Sequence, residues 1–334
     1  MRKFRIALLV VLLLVLALAG AAWVARGWYR EPLPLPRSPF DFEVRQGASL
    51  ASVARGLRDA GVLPHAAALT WLARVQGADR TIKAGSYEIE QGITLPGLLA
   101  KLTQGDVTQT SITIVEGATF ADVKRALRDD VDMKRAVVDL PDAELFAKLG
   151  ITEASAEGLF FPDTYFIAKG STDVALLKRA RTAMAERLAA AWSRRAPDLP
   201  LATPYEALIL ASIVEKETGR PADRPLIASV FVNRLKRGMR LQTDPTVIYG
   251  MGEKFDGNLR KRDLDADTPW NTYTRDGLPP TPIALPSQAS LDAATRPPPT
   301  SFLYFVSRGD GTSEFSPSLA EHNRAVSKYQ RGGK

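Results

Sequence analysis

A helical run near the middle of the chain constrains the fold more than any other segment. Residues 205–218 read YEALILASIVEKET; they follow Pro204 and are apolar on all sides before ending in an acid, a base and a second acid. A helix that is apolar all round is normally buried. Carboxylates at its end are expected where desolvation raises a pKa, which makes a general acid that works near neutral pH. Alternatively, Glu215 and Glu217 are solvated charges on an exposed last turn.

The two carboxylates do not form a facing pair. Glu215 and Glu217 are two residues apart, which is about 200° around a helix, whereas a glycoside hydrolase needs two carboxyl groups on either side of one bond. A single acid suits a different reaction, in which it protonates the leaving oxygen and then deprotonates a hydroxyl of the substrate itself. The pattern therefore favours cleavage of a glycosidic bond without a second carboxylate.

The residue inventory excludes several classes of function. The 334-residue chain has no cysteine and two histidines, so thiolate catalysis, histidine zinc sites and Ser-His-Asp triads have little material. We find no nucleophile elbow, Ser-x-x-Lys or phosphate-loop motif, and we expect no metal or organic cofactor. Five of the 44 basic residues lie within residues 1–30, and the others are nearly balanced by 37 acidic residues, so no nucleic-acid partner is expected.

The N-terminus has the pattern of a membrane anchor. Residues 6–25 are twenty residues without a charge, the length that spans a bilayer core as a helix, and two tryptophans and a tyrosine at its end are typical of an interfacial belt. We expect an uncleaved single-pass helix in the cell inner membrane, with residues 1–5 cytoplasmic and the body periplasmic. The alternative is a cleaved signal peptide. Four prolines make residues 30–39 a stiff, extended linker.

A strand–glycine–helix pattern occurs three times after this linker. The copies begin at residues 42, 87 and 112, and each has a period-two strand, a glycine turn, a Ser or Thr N-cap and an apolar helical stripe. The pattern resembles LysM modules, which bind N-acetylglucosamine-containing glycans. Residues 40–108 are therefore predicted to be a LysM-like glycan-binding region. The alternative is that these units pack a small α/β domain and bind nothing.

Six motifs follow one another between residues 157 and 283. They are EGLFFPDTY (157–165), ASIVEKET (211–218), ASVFVNRL (228–235), RLQTDPTVIYG (240–250), WNTYT (270–274) and GLPPTPI (277–283). They resemble the endolytic murein transglycosylase family (MltG, also called YceG-like), and the resemblance covers nearly all of residues 40–330. It implies an α+β fold with an N-terminal transmembrane helix, a small LysM-like α/β region and a larger catalytic domain over residues 109–330.

The resemblance also implies a function. It implies a lytic transglycosylase that cleaves the MurNAc–GlcNAc bond within nascent peptidoglycan strands, leaves 1,6-anhydroMurNAc ends and terminates strand elongation. The implied partners are glycan strands, the membrane and peptidoglycan synthases. Two alternatives stay open: a muramidase in which Asp244 or Asp223 positions a water, and a non-catalytic glycan-binding scaffold of the division machinery.

The same motifs supply candidate site residues. Glu215 matches the first glutamate of the family's Glu-Lys-Glu motif, so the resemblance implies that it is the catalytic residue. The predicted substrate-binding residues are Gln242, Asp244, Asn271 and Tyr273, with Glu217 and Asn233 as further candidates; no metal site is predicted. Alternatively, Glu217 pairs with Lys216, Arg220 or Arg224, Asp244 forms an Asx turn, and Asn271 braces a loop.

Overall fold

The fold is α+β, as the sequence predicts. The structure is a computed structural model that describes residues 12–13, 15–16, 19–20, 26–27, 29–45, 47–78, 81–107 and 109–331. These residues contain twelve α-helices and three two-stranded sheets. The chain divides into two compact units, which are Met1–Thr110 with Phe166–Ser171, and Ser111–Tyr165 with Thr172–Lys334.

The first unit combines one antiparallel sheet with three helices. Its elements are β1 (Phe40–Val44), α1 (Leu50–Asp59), α2 (Ala66–Val75), β2 (Gly85–Ile89) and α3 (Leu95–Gln104). The two strands pair with Phe40 opposite Ile89. Each helix turns an apolar face into a shared core, to which Leu57, Leu69 and Leu98 contribute fully buried side chains.

The three strand–glycine–helix copies predicted from the sequence are confirmed. Each helix begins at a capping residue whose side chain accepts the backbone N–H three residues later, and these residues are Ser49, Thr94 and Thr119. The glycine two residues before each cap has a positive φ, for example 92° at Gly92, a conformation that favours glycine. A likeness of this region to LysM modules is not shown by the structure.

The remaining elements follow in chain order. They are β3 (Gln109–Thr113), α4 (Phe120–Asp129), α5 (Asp142–Leu149), β4 (Thr164–Ala168), α6 (Asp173–Ser193), α7 (Pro204–Glu217), α8 (Arg224–Lys236), α9 (Asp244–Met251), α10 (Lys261–Asp265), α11 (Gln288–Thr295), β5 (Tyr304–Ser307), β6 (Ser313–Ser316) and α12 (Leu319–Val326). β3 pairs with β4, and β5 pairs antiparallel with β6. A π-helical turn, Ser327–Arg331, follows α12.

Helix α7 carries both candidate carboxylates, and its predicted burial is confirmed. Thr203 caps it, and Pro204 occupies the first turn, where its missing N–H leaves no partner unsatisfied. Every residue from 207 to 215 is buried, and the helix contacts α6, α8, α9 and α11. The helix ends at Glu217, and Thr218 is already extended. Its last turn is therefore where the chain leaves the core.

The predicted membrane anchor is not found. Residues 1–5 and most of residues 6–25 lie outside the described residues, and no described helix combines the length and the apolar character needed to cross a membrane. The prediction of a single-pass inner-membrane protein with a periplasmic catalytic domain is corrected accordingly. It rested on hydropathy, which measures how apolar a run of sequence is and not whether a spanning helix forms.

The proline-rich segment is not a free spacer where it is described. Pro32 forms an isolated bridge with Thr94, and the N–H of Leu33 donates to the carbonyl of Ile93 at 2.8 Å. Leu33 and Leu35 pack against the core of the first unit. The prolines set an extended backbone, but the leucines between them have apolar surface to bury.

Candidate active site

Glu215 lies in a fully occupied polar junction. Its side chain is 5% exposed, and Oε1 accepts a hydrogen bond from Arg224 Nη2 at 2.9 Å. Oε2 accepts the N–H of Ser287 at 2.9 Å, the Ser287 hydroxyl, and the Ser290 hydroxyl at 2.7 Å. Because Ser287 is the N-cap of α11, this carboxylate joins the end of α7 to the beginnings of α8 and α11. It faces protein on every oxygen.

Glu217 lies on the other side of the last turn of α7 and lines a cavity of about 700 Å³. The hydroxyl of Thr243 donates to its Oε2 at 2.7 Å. Burial raises the pKa of Glu217 to about 7; the charge of Asp244 adds to the rise, while the Thr243 bond and Arg234 oppose it. This carboxyl group therefore exchanges its proton near neutral pH, as a general acid that later acts as a base must do.

The basic residues proposed as alternative partners of Glu217 are engaged elsewhere. Arg224 pairs with Glu215, and the Lys216 ammonium donates to the carbonyl of Gly117 at 3.1 Å. The guanidinium of Arg220 lies 3.9 Å from Asp223. None of these three basic residues forms an ion pair with Glu217, so its carboxyl group faces the cavity without a salt bridge from them.

The cavity is built from parts of the second unit that are far apart in sequence. Its lining residues are Glu217 of α7, Arg234 of α8, Leu241 and Gln242 of the loop before α9, Asp244 at the start of α9, Tyr273 of the loop after α10, Tyr304, Phe305, Val306, Ser307 and Ser313 of the β5–β6 hairpin, and Leu319, His322, Asn323, Val326 and Gln330 of the C-terminal segment. Hydroxyl, amide and carboxylate groups dominate this lining, which suits a polar ligand.

Three of the predicted substrate-binding residues lie in this cavity. The hydroxyl of Tyr273 donates to Asp244 Oδ1 at 2.6 Å. Burial and then this bond raise the pKa of Tyr273 above its ordinary value, so it stays a phenol. Gln242 has a φ of 49°, which is unusual for a residue other than glycine. Its N–H is held by the carbonyl of Thr272 at 3.1 Å, and its exposed side chain lines the cavity.

The two predicted asparagines, Asn271 and Asn233, form hydrogen bonds to backbone groups and do not line the cavity. Asn271 is fully buried; its Nδ2 donates to the carbonyls of Leu264 and Ala266 at 2.9 and 2.6 Å, and its Oδ1 accepts the N–H of Tyr273. These are the contacts of a residue that braces a loop. Asn233 Nδ2 likewise donates to two backbone carbonyls, those of Thr300 and Phe302.

A third acidic residue, Glu157, is buried away from the cavity lining. Its carboxylate accepts the N–H of Phe120 at 3.0 Å and the hydroxyl of Tyr249 at 3.2 Å. Burial raises its pKa to about 7. Tyr249 belongs to α9, the helix that begins at Asp244. Glu157 thereby fixes α9 from its far end, which accounts for the glutamate in the first of the six motifs.

Sequence reasoning missed several cavity residues. Arg234 of the cavity lining and Thr243, which bonds Glu217, both lie inside the six motifs, so their position there was a usable signal, whereas nothing in the sequence pointed to Tyr304, His322 or Asn323. Within the described part of the chain, no three His, Asp or Glu side chains are grouped as a metal ion would require.

Comparisons with known proteins give one consistent relationship. The model of the YceG-like family matches residues 42–328. A Bacillus subtilis (strain 168) protein named endolytic murein transglycosylase is 31% identical over 310 residues, which are 88% of this chain and 85% of that one. A Streptococcus pneumoniae serotype 2 protein of the same name is 28% identical over 323 residues, 86% of this chain and 57% of that one.

A solved structure agrees with these sequence matches. The crystal structure of a yceG-like protein from Listeria monocytogenes is 27% identical in sequence, with a TM-score of 0.52. The match covers 86% of this chain and 99% of that chain. The similarity therefore extends over both units rather than over one local motif.

Proposed function

Because the chain belongs to the YceG-like family, we propose that it is an endolytic murein transglycosylase, which cleaves the MurNAc–GlcNAc bond within peptidoglycan strands and leaves 1,6-anhydroMurNAc ends. One observation supports this chemistry above all. The cavity holds a carboxyl group, Glu217, that has a pKa of about 7 and no salt-bridge partner among the described residues. A reaction with one acid that becomes a base needs this combination.

The reaction runs through a single proton carrier. Protonated Glu217 donates its proton to the glycosidic oxygen, and the bond from that oxygen to C1 of MurNAc breaks. The resulting carboxylate takes the proton of the C6 hydroxyl of the same MurNAc, whose oxygen bonds to C1. The leaving strand keeps the first proton, Glu217 regains one, and no water is consumed. The product is a 1,6-anhydro ring.

We assign this role to Glu217 and not to Glu215, which the resemblance alone would select. Glu215 already accepts four hydrogen bonds, one of them from a buried guanidinium. A proton placed on Glu215 would break the ion pair with Arg224 and strand a buried charge. Glu217 accepts a side-chain hydrogen bond from Thr243 and borders open space, so it is free to meet a substrate oxygen.

Gln242, Asp244 and Tyr273 are the proposed substrate-binding residues. Carboxamide, carboxylate and phenol groups match the hydroxyl and acetamide groups of amino sugars as donors and acceptors. The Tyr273 ring can also stack on a sugar face. Asn271 and Asn233 contribute indirectly, because they hold the loops and strands that carry Tyr273 and Tyr304. Glycan binding by residues 40–108, termination of strand elongation and partnership with peptidoglycan synthases stay predictions of the resemblance.

Mass analysis of fragments released from purified sacculi tests the proposal against its two alternatives. Anhydro ends from the wild-type protein, absent with Glu217→Gln, are the expected result. Reducing ends would instead indicate a muramidase; Asp244, the acidic residue beside Glu217, is bonded to Tyr273 in this structure. No released fragment, together with retained glycan binding, would indicate a scaffold.

A further inference from the structure

The C-terminal segment forms a wall of the candidate active site. Helix α12 and the π-helical turn after it contribute five lining residues to the cavity that contains Glu217: Leu319, His322, Asn323, Val326 and Gln330. This segment lies about a hundred residues after the acid in sequence, and none of the six motifs reaches it. Its polar members are a histidine and two amides.

His322 is held in place by a row of stacked groups. Its ring stacks on Tyr304 with centroids 5.2 Å apart and an interplanar angle of 24°. The guanidinium carbon of Arg234 lies 5.2 Å from the centre of the same phenol ring. Arg234 is buried and donates to the carbonyls of Leu303 and Leu241 at 2.7 and 2.8 Å. The stacking therefore fixes the plane of the imidazole before any ligand arrives.

One nitrogen of this ring has no hydrogen-bond partner. His322 Nδ1 is buried and meets no donor or acceptor among the described residues. Buried polar atoms are nearly always paired, and leaving one unpaired costs about 1–3 kcal/mol. An unpaired ring nitrogen in the wall of a polar cavity is explained if a bound molecule supplies the missing group or reorients the ring to bond it.

We infer that His322 is a specificity-determining residue for the glycan, whose imidazole hydrogen-bonds a hydroxyl or acetamide group of the sugar bound beside Glu217. The inference rests on the proposed function for the identity of the ligand. A neutral imidazole offers one donor and one acceptor, which a sugar hydroxyl can match in either direction. Asn323 and Gln330 add carboxamides to the same wall.

The surroundings keep this imidazole neutral. Burial lowers the pKa of His322, and the positive charge of Arg234 lowers it further. The charged and titratable groups of the neighbouring elements are Glu217, Asp244 and Tyr273 in the cavity, Arg234 of α8, Tyr304 of β5, Glu314 of β6 (which is paired with Arg308), Glu321 and Arg324 of α12 itself, and Lys328, Tyr329 and Arg331 of the π-helical turn. As the pH falls through this lowered pKa, the ring gains a proton and loses its acceptor, so glycan binding should weaken.

Binding of soluble glycan strands to protein carrying Glu217→Gln tests the inference without turnover. In that background His322→Phe keeps a ring for Tyr304 but has no nitrogen, and His322→Gln keeps a donor and an acceptor without the ring. We expect His322→Phe to raise Kd about tenfold, the loss of one or two neutral hydrogen bonds, and His322→Gln to raise it less. Arg324→Gln, exposed on the same helix and outside the cavity lining, is the control and should leave Kd unchanged.

Two further readouts separate recognition from a structural role. With Glu217 restored, His322→Phe should raise KM by a similar factor while kcat changes less than about threefold. In the Glu217→Gln background, the Kd of protein with His322 should rise as the pH falls, whereas the Kd of the His322→Phe variant should not. An unchanged Kd in a variant with wild-type Tm, or an equal loss in Arg324→Gln, would overturn the inference. Absence of cleavage by the wild type would count against the proposed function alone, because the Kd comparison does not depend on it.

Discussion

The two sides of the last turn of α7 present glutamates in contrasting situations. Glu215 meets a guanidinium, two hydroxyls and a backbone N–H, whereas Glu217 meets one hydroxyl and a cavity. Both carboxylates are largely buried, but of the two only Glu215 forms a salt bridge among the described residues. The comparison shows that partners, more than burial, decide whether a carboxylate stabilises a junction or is available to carry a proton.

The largest expected effect is a loss of turnover when Glu217, the glutamate in the cavity, is replaced. Glu217→Gln should lower turnover of glycan strands by about 10²–10⁴-fold, because an amide can neither deliver nor recover a proton. The protein should still fold, since glutamine can accept the Thr243 hydrogen bond. The rate at which anhydro-ended fragments are released measures turnover. Circular dichroism checks that the variant is folded. Turnover within threefold of the wild type would break the assignment of the acid.

The next largest effect is on the junction side, and it concerns stability. Glu215→Gln leaves the guanidinium of Arg224, whose side chain is 11% exposed, without its counter-charge. Breaking a buried ion pair in this way costs about 3–5 kcal/mol, which urea unfolding should detect as a lower free energy of unfolding. Glu186→Gln, at an exposed position of α6, is the matched control and should change the free energy by less than about 0.5 kcal/mol.

Other outcomes for Glu215→Gln would exchange the roles assigned to the two glutamates. If Glu215→Gln were as stable as the wild type and inactive, the residue implied by the family resemblance would be the acid after all. If it were unstable but its folded fraction retained turnover within about tenfold of the wild type, the junction role would stand. The two glutamine variants therefore sharpen the comparison only when stability and turnover are measured on both.

Sequence alone predicted the helix and its burial but could not choose between its two carboxylates. Helical periodicity places Glu215 and Glu217 on different sides, yet what each side meets depends on distant segments: Ser287 and Ser290 are 72 and 75 residues from Glu215. Thr203 and Pro204, by contrast, fix the start of α7 through local contacts. Local capping and patterning are thus readable from sequence, while partners brought by tertiary packing are not.

The candidate binding residues teach the same lesson. Gln242, Asp244, Asn271 and Tyr273 all carry side chains that suit a sugar, and sequence patterns alone do not distinguish a residue that binds the sugar from one that braces a loop. Packing separates them, because Asn271 is needed to satisfy three backbone groups and is fully buried. A polar residue inside a family motif is therefore as consistent with loop bracing as with ligand binding.

A smaller expected effect is a pH-dependent difference in Tm between the wild type and Glu217→Gln. Folded Glu217, with its pKa raised to about 7 from 4.5, holds a proton that the unfolded chain releases between these values. Its contribution to stability is therefore complete below the unfolded pKa and is lost as the pH rises through the folded pKa. Relative to wild type, Glu217→Gln should gain about 2–4 °C in Tm at pH 8 if roughly 1 kcal/mol is involved.

A differential Tm series from pH 4 to pH 8 checks this sign. Glu157 also has a pKa raised to about 7, but it is present in both proteins, so its contribution cancels in the difference. A Tm gain that grew toward low pH, or none at any pH, would mean that the cavity does not hold a neutral Glu217.

The smallest expected effect concerns the backbone that presents Gln242 to the cavity. At a φ of 49° a residue with a Cβ costs about 1 kcal/mol more than glycine, so strain is tolerated at a position where the side chain is exposed to the cavity.

Gln242→Ala removes the carboxamide and keeps the strain, whereas Gln242→Gly removes both. We expect both variants to raise KM about fivefold, for one neutral hydrogen bond, with kcat nearly unchanged. The glycine variant should then be more stable than the alanine variant by up to about 1 kcal/mol. Equal KM values for wild type and both variants would show that Gln242 shapes the loop and does not touch the glycan, and would leave Asp244 and Tyr273 as the polar groups beside the acid.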